Sequence, residues 1–489
     1  VTTLRRNKAA RIATASLLAS ALFMPGMATA KDPYPGYTYS SLDRPLAAPN
    51  AYTPERMLDG AALGTGSLRN PNDLFVRDNR IYLLDSGNNR ILMLSEQYRL
   101  LTEIKTFRNG DKDDGFNNPQ GLFVTEDNHI YVADTDNKRV VHLDGAGRFL
   151  QEIHSPKSEI LPANFQFAPA KVGVDRAQRV YTVGRGVVEG LIEFDSDGQF
   201  STFMGAPKVR FDPIDLVWKR LSTKAQRDKM VQFVPTEFNN VDMDDSGFLF
   251  VTTQTKSSAP IQRLNPTGLN VLRAVDSAPI GDLNHLFGDE SMFADIASGL
   301  NGSYSALDMT KGRIFTYDED GRLLYIFGMS GQQVGNFGTP VAIDYMGDKV
   351  LVLDRERANI TVFKPTLFGA AVNRAVDYQY KGRMDEAKAE WEKTLKLNAN
   401  YELAYVGIGK SQLRNGDYSA AMRNFKLGSD RDYYSKAFQM ERKRLARLYF
   451  APVMSVAVPL LLLLWLGPKA WRRWLKPRLR KEAFHVDRS

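Results

Sequence analysis

Residues 70–94, NPNDLFVRDNRIYLLDSGNNRILML, and residues 118–143, NPQGLFVTEDNHIYVADTDNKRVVHL, are two copies of one unit. Asn70-Pro71 recurs as Asn118-Pro119 and Asp85 recurs as Asp134, offsets of 48 and 49 residues. Each copy holds short β-rich runs (LFV, IYLLD, RILML, then LLTEIKTF in the first) separated by acidic or glycine turns. Looser copies follow at 167–205, 234–275, 303–328 and 338–363, with Asp308 and Asp354 in register with Asp85. About six units of four strands, each 40–50 residues long, predict a β-propeller: a small sheet buries its faces only against its neighbours, and a sandwich would not repeat one motif at fixed offsets. The stretch 206–233 is helix-compatible and is expected to project from blade three or four. GYTYSS, residues 36–41, is the candidate strand for latching the first and last blades together.

Beyond Pro365 the period becomes helical. Residues 371–428 hold two copies at an offset of 34, pairing Gly382 with Gly416, Ala387 with Ala421, Trp391 with Phe425 and Ala375 with Gly409. Small residues where helices cross and aromatics in the groove between them predict paired helices. A further helix over 433–449 caps them, and a generic helical stalk is the alternative. The run FAPVMSVAVPLLLLLWL, residues 450–466, carries no charge and spans roughly 27 Å as a helix, just adequate for a bilayer core. Trp465, Trp471 and Trp474 stand where an interfacial belt would lie.

The chain's 489 residues carry a net charge of +8, which invites a nucleic-acid reading until it is divided along the sequence. The first 30 residues contribute +4 and residues 467–489 contribute +6, leaving −2 for everything between. A nucleic-acid partner would need a basic stripe on that body. The basic N-terminus precedes an apolar core, Pro25 and the small-residue exit Ala28-Thr29-Ala30, the order of a secretory signal peptide, with an uncleaved anchor as the other reading. Export places residues 31–449 outside the cell membrane and the basic tail inside. The expected organisation is a signal peptide at 1–30, a propeller at 31–365, a helical module at 366–449, a transmembrane helix at 450–467 that meets the lipid bilayer, and a cytoplasmic tail at 468–489. Cysteine is absent, which removes disulfides, thiolate metal sites and cysteine nucleophiles.

The β units resemble NHL repeats, best over 119–140 and 71–91, through the pattern Pro-x-(Gly)-apolar, then apolar-Tyr-Val-x-Asp-x-x-Asn-x-Arg-apolar. The resemblance implies a mainly β, about six-bladed propeller that serves chiefly as a recognition platform, with a minority of hydrolytic or lyase relatives. The 34-residue helical offset resembles the tetratricopeptide repeat, although Gln412 stands where its tyrosine would be and Ala399 replaces its terminal proline.

Residues opening the innermost strands can converge on a ligand: Asn72, Asp73, Gln120, Lys171, Glu237, Asn239, Asn240, Ser305 and Thr339. Asp73, Glu237 and Asn240 could supply oxygens for calcium, and the collar could hold a sugar; polar residues and water filling a narrow channel are the plainer account. Asp85, Asp134, Asp308 and Asp354 end strands ahead of tight turns, where a carboxylate fixes the reversal through backbone N–H groups. Arg90, Arg139 and Arg313, five residues on, can pair with it or with the next blade. His129, His142, His154 and His285 occupy unrelated blade positions, which argues against a shared metal, and no catalytic residue is assigned. The expected function is that of a membrane-anchored extracytoplasmic recognition or scaffold protein binding another protein. The layout resembles bacterial proteins that accompany carbohydrate uptake systems, which makes a membrane transport complex the implied partner. The alternative is a metal-dependent propeller hydrolase acting on a sugar, lactone or related small molecule.

Overall fold

The computed structural model describes residues 33–157, 161, 165–206, 237–253, 259–273, 280–282 and 291–475. The leader expected at 1–30, the insertion near 206–233 from residue 207 on, His285, and the tail from residue 476 on lie outside the described residues.

Six antiparallel sheets form a wheel. Blade one is Asp73–Arg77, Arg80–Asp85, Arg90–Leu94 and Leu100–Ile104. Blade two is Gly121–Val124, Ile130–Asp134, Arg139–Leu143 and Phe149–Ile153. Blade three runs from Pro169–Val174 through Val180–Gly184 and Leu191–Phe194 to Phe200–Met204. Blade four shows three strands among the described residues, Phe238–Met243, Leu249–Thr253 and Ile261–Leu264, and the backbone at Val271 donates to Arg263 O (2.7 Å) where a fourth would run. Blade five is Phe293–Ser298, Tyr304–Asp308, Arg313–Tyr317 and Leu323–Phe327. Blade six is Pro340–Met346, Lys349–Asp354 and Asn359–Pro365, completed by Tyr52–Asp59 from near the N-terminus.

The ring is therefore closed by Tyr52–Asp59 and not by the segment at 36–41. Tyr37–Tyr39 instead extends the outer edge of blade five, with Tyr37 opposite Ile326. The closing strand hides in the sequence because YTPERMLD contains a proline and three charges. As an outermost strand it needs only one buried side, and the ladder slips a register between Val362 and Phe363, where Pro54 sits opposite Phe363. An edge strand at a bulge is where a residue without an N–H is tolerated.

Each seam between blades buries its own apolar cluster, such as Tyr82, Leu84, Leu122 and Val132 between blades one and two. A strand buried on both faces reads as a continuous apolar run, as in Ile81–Leu84 and Ile130–Ala133. A short hairpin, Thr106–Asn109 with Lys112–Gly115, bridges blades one and two, and its Asp114 meets Arg139 bidentately at 2.7 and 2.9 Å.

After the wheel come α1 (Leu367–Tyr380), α2 (Met384–Leu397), α3 (Glu402–Arg414), α4 (Tyr418–Leu427) and α5 (Arg431–Ala470). Thr366 caps α1, accepting from Gly369 N at 3.2 Å. The 34-residue offset has a geometric meaning. Gly382 and Gly416 take positive φ of 72° and 80° just beyond α1 and α3, and Ala387, Trp391, Ala421 and Phe425 are buried. The helices share a core with blades five and six, in which Phe368, Val372, Trp391 and Tyr401 join Leu324, Phe327, Val352 and Phe363. Tyr401 Oη donates to Leu324 O (2.7 Å) and Tyr325 Oη to Asn373 Oδ1 (2.7 Å). α5 runs unbroken through the boundary expected at 449/450. Only Ala437 and Glu441 of it are buried, and none of its apolar window is, a stretch apolar and long enough to cross a membrane.

Candidate functional site

The innermost strands stand in register around the wheel's axis. Pairing with each second strand aligns Asp73, Gly121, Lys171, Asn240, Asp295 and Ala342 at one level, because each lies opposite the residue preceding the last residue of its partner strand. Two residues further along, on the same face, come Phe75, Phe123, Gly173, Asp242, Ala297 and Asp344. These two tiers line the centre of the wheel. The free space among them is about 20 Å³, room for one or two water molecules.

Four carboxylates from these tiers cross blade seams by one recurring bond. Asp73 accepts from Leu122 N (2.8 Å) in blade two, and Asp242 from Ser298 N (2.9 Å) in blade five. Asp295 accepts from Ile343 N (2.7 Å) in blade six, and Asp344 from Val76 N (2.5 Å) in blade one. Three of them also accept from the N–H of the next residue: Leu74, Ile296 and Tyr345. Lys171 donates to Asp73 Oδ1 at 2.6 Å, and Asn240 Nδ2 donates to Asp295 Oδ1. Gly121 leaves the space this needs, since a Cβ there would lie 2.7 Å from the Lys171 Cα.

Burial dominates the protonation of this centre. It pushes Asp242 up to about 6 and Asp295 up to about 7, the latter against the pull of Lys171, and it raises Asp344 well above the usual carboxylate range. Burial opposes the charge on Lys171, yet the Asp73 and Asp295 carboxylates raise its pKa.

Above these tiers lies the mouth, formed by the entries to the inner strands and the turns after the second strands. Asn72 Nδ2 donates to Gln120 O (2.8 Å) and Oε1 (2.9 Å). Arg185 Nη2 donates to the same Gln120 Oε1 at 3.3 Å, and Arg355 Nη2 to Asn72 Oδ1. Glu237 accepts from Gly186 N (3.0 Å), Asn239 donates to Phe293 O (2.6 Å), and Thr339 Oγ1 donates to Glu356 (3.1 Å). Asp73 and Asn240 thus share a tier, Asn72 and Gln120 pair at the mouth, and Glu237 stands on the rim. Among the described residues, no group of three or more His, Asp or Glu side chains is placed to hold a metal ion.

Ser305 is not at the channel. Blade five's inner strand is Phe293–Ser298, so Ser305 falls in the second strand, bonded to Thr316 Oγ1 (2.6 Å) and Tyr345 Oη (2.5 Å). The unit read at 303–328 opens on that second strand, so the inner strand ahead of it falls outside the repeat. That is why Asp295 escapes notice in the sequence.

The recurring aspartates sit at the second-strand ends. Asp85 accepts from Arg69 N (2.7 Å), Asn88 (2.8 Å) and Arg90 Nε (2.8 Å). Asp134 repeats this with Asn117 N (2.7 Å), Asn137 (2.9 Å) and Arg139 Nε (3.0 Å). Asp308 accepts from Met292 N (3.1 Å) and Thr310 N (2.9 Å), and Asp354 from Gly338 N (2.6 Å) and Arg357 N (3.0 Å). Arg313 departs from the pattern, donating to Gly328 O (2.7 Å) and lying over the Tyr37 ring.

The histidines require a correction. His129 Nδ1 and His142 Nε2 lie 2.9 Å apart, and His142 stacks on Tyr131. Positions 13 apart meet because they flank one hairpin of blade two, in which Tyr131 pairs with His142. Burial and His129 hold His142 down to about 4. His154 is separate and meets Glu152 at 3.1 Å.

The family model described as NHL repeat matches residues 116–143. Among solved structures the chain is similar to a streptogramin B lyase (13% identity, TM-score 0.38), covering 68% of this chain and 86% of that one. It is similar to virginiamycin B lyase from Staphylococcus aureus (11%, TM-score 0.40; 63% and 98% covered). It is also similar to the extracellular domain of a proposed one-component system from B. thetaiotaomicron (10%, TM-score 0.33; 60% and 33% covered). No curated protein matches. The chain is a six-bladed propeller with an NHL-repeat match in its second blade, followed by helices of which one is long and apolar enough to span a membrane.

Proposed function

We propose that this is a membrane-anchored extracytoplasmic recognition or scaffold protein, which binds another protein through its propeller and its tetratricopeptide-like helices. One observation carries the reading: the wheel and the helices share a single core at blades five and six, and the same helical array continues into an unburied apolar segment. A body built this way presents two recognition surfaces at a fixed angle to each other and to a membrane. Tyr380, Leu397 and Leu427 are large apolar side chains left exposed on the helices, where a partner chain could cover them. The signal peptide, the outward orientation and a transport-complex partner, with carbohydrate as its cargo, belong to this proposal.

Photo-crosslinking in native membranes tests it. A benzophenone amino acid at Tyr380, Leu397 or Leu427 of the full chain is expected to trap the same membrane-associated protein at two or more positions. Absence of any reproducible adduct at all three removes the scaffold reading. External protease is expected to digest the body in intact cells, and protection of the propeller overturns the orientation.

A further inference from the structure

Arginines in this wheel are generally matched to carboxylates: Arg90 to Asp85, Arg139 to Asp114, Asp134 and Glu152, Arg179 to Asp175, Arg263 to Asp244, and Arg322 to Asp320. Arg77 and Arg313 donate to the Val124 and Gly328 carbonyls instead, and Arg185 and Arg355 depart in another way. They hold equivalent places, each the residue after the end of a second strand, in blades three and six. Among the described residues each donates to a side-chain amide oxygen, Gln120 Oε1 for Arg185 and Asn72 Oδ1 for Arg355. Neither has a carboxylate partner among the described residues. Asn72 bonds Gln120, so one arc, Arg355–Asn72–Gln120–Arg185, runs over blades six, one, two and three across the mouth.

A guanidinium carries five N–H donors, and each of these arginines spends one on the arc. Burial and the neighbouring Arg185 both lower the pKa of Arg355, and Arg355 in turn acts against the charge on Lys171. Arg355 thus feels a second cation on either side, Arg185 and Lys171, and the Asp73 carboxylate beside Lys171 is already committed to it and to Leu122 N. An oxyanion between the arginines would relieve this repulsion and take up the free donors. The planar fork matches the two oxygens of a carboxylate, and the amides of Asn72 and Gln120 are of the type that pairs with hydroxyl groups.

We propose that the mouth of the propeller binds a small hydroxylated carboxylic acid, its carboxylate held between Arg185 and Arg355. This goes beyond the protein-scaffold reading and does not depend on it.

The test is calorimetric titration of the full chain in nonionic detergent at low ionic strength with D-glucuronate as probe, and with D-glucose and inorganic phosphate as comparators. Glucuronate is expected to bind saturably and glucose not at all. Arg185→Gln and Arg355→Gln should each weaken glucuronate by about 10-fold or more, the usual worth of a charge-assisted bond. Arg355→Lys should weaken it as well, because an ammonium keeps the charge and loses the fork. Arg148→Gln, which removes an exposed charge paired with Asp144, should leave binding unchanged. The glucuronate-induced rise in melting temperature, read for each variant against its own unliganded protein, separates lost binding from lost stability. A flat glucuronate titration overturns the proposal, and so does equal binding by wild type and both glutamine variants. Binding of phosphate without glucuronate overturns the carboxylate assignment.

Discussion

A buried carboxylate that accepts backbone N–H groups from two blades joins them, and its burial makes the joint sensitive to protons. Asp242, pushed up to about 6, would titrate near 3.9 in an unfolded chain. Between those values the folded state holds a proton that the unfolded state has released, so stability falls as pH rises from about 4 to about 6 and stays lower above. The stability of Asp242→Asn should therefore drop less than that of the wild type between pH 5 and pH 7.5, by on the order of 1–2 kcal/mol in chemical unfolding. Asp295 acts in the same direction and remains in the variant, so the slope is reduced and not abolished. His142, held down to about 4, works the other way, losing its contribution as pH falls from about 6.5 to about 4. It is common to both proteins and cancels in the comparison; equal slopes would contradict the assignment of Asp242. Asp73, Lys171 and Asn240 were legible in the sequence because the units at 70–94, 167–205 and 234–275 each include the inner strand that carries them. Asp242 and Asp344 were not, since they occupy the second tier, where blades one and two carry phenylalanine. The arginines of the mouth were hidden in the same way: Ser86 and Thr135 hold their places in the best-kept repeats.

At the scale of elements, the closing strand and the helix crossings do what their repeats alone cannot. Tyr52–Asp59 pairs along the whole of Asn359–Pro365, and Leu58 belongs to the apolar seam between blades six and one. Removing residues 33–50 should lower the melting temperature yet leave one cooperative transition. Removing 33–59 should abolish it, because an unpaired edge and an open seam remain. Circular dichroism melts with size-exclusion chromatography read both, and a cooperative fold in the longer deletion would show that closure lies elsewhere. In the helices, a Cβ on Gly407 would lie 2.1 Å from the Trp391 indole nitrogen, inside a core that also holds Tyr401 and Ile408. Gly407→Ala should cost about 1–3 kcal/mol by overpacking, although alanine is the better helix former. A shift in Trp391 emission should accompany the loss, and an unchanged melt would mean that α2 and α3 can move apart. The 34-residue offset made this crossing legible in outline. The hairpin at 106–115 was not, because KTFRNGDKDDGF reads as a polar turn until Arg139 is seen to claim Asp114.

For the whole molecule, the faces of the wheel divide the work. The mouth lies at the end where second strands turn into third strands, and the helices pack at the other end. There, α1 follows the last strand and Tyr380 approaches the turn at Gly302. The helices therefore leave the mouth uncovered. Cohesion runs from seam to seam around the ring and into α1–α4 through the core at blades five and six, then stops within α5. Phe425, Val406 and Ala437 form the last cluster, and beyond Glu441 no described residue of the helix is buried. Among the described residues the apolar segment thus adds no buried side chain to the body. A chain ended after Arg447 should leave the membrane fraction, resist no carbonate wash, and melt within about 2 °C of the full chain, since its loss removes no buried contact. A chain ended after Gly428 should lose Ala437 from that cluster and the Ser419–Glu441 bond (3.0 Å), and melt several degrees lower. If the shorter truncation remained in membranes, some other part of the body would have to hold the bilayer. If its melting temperature fell as far as that of the longer truncation, the segment after Arg447 would have to pack against the body.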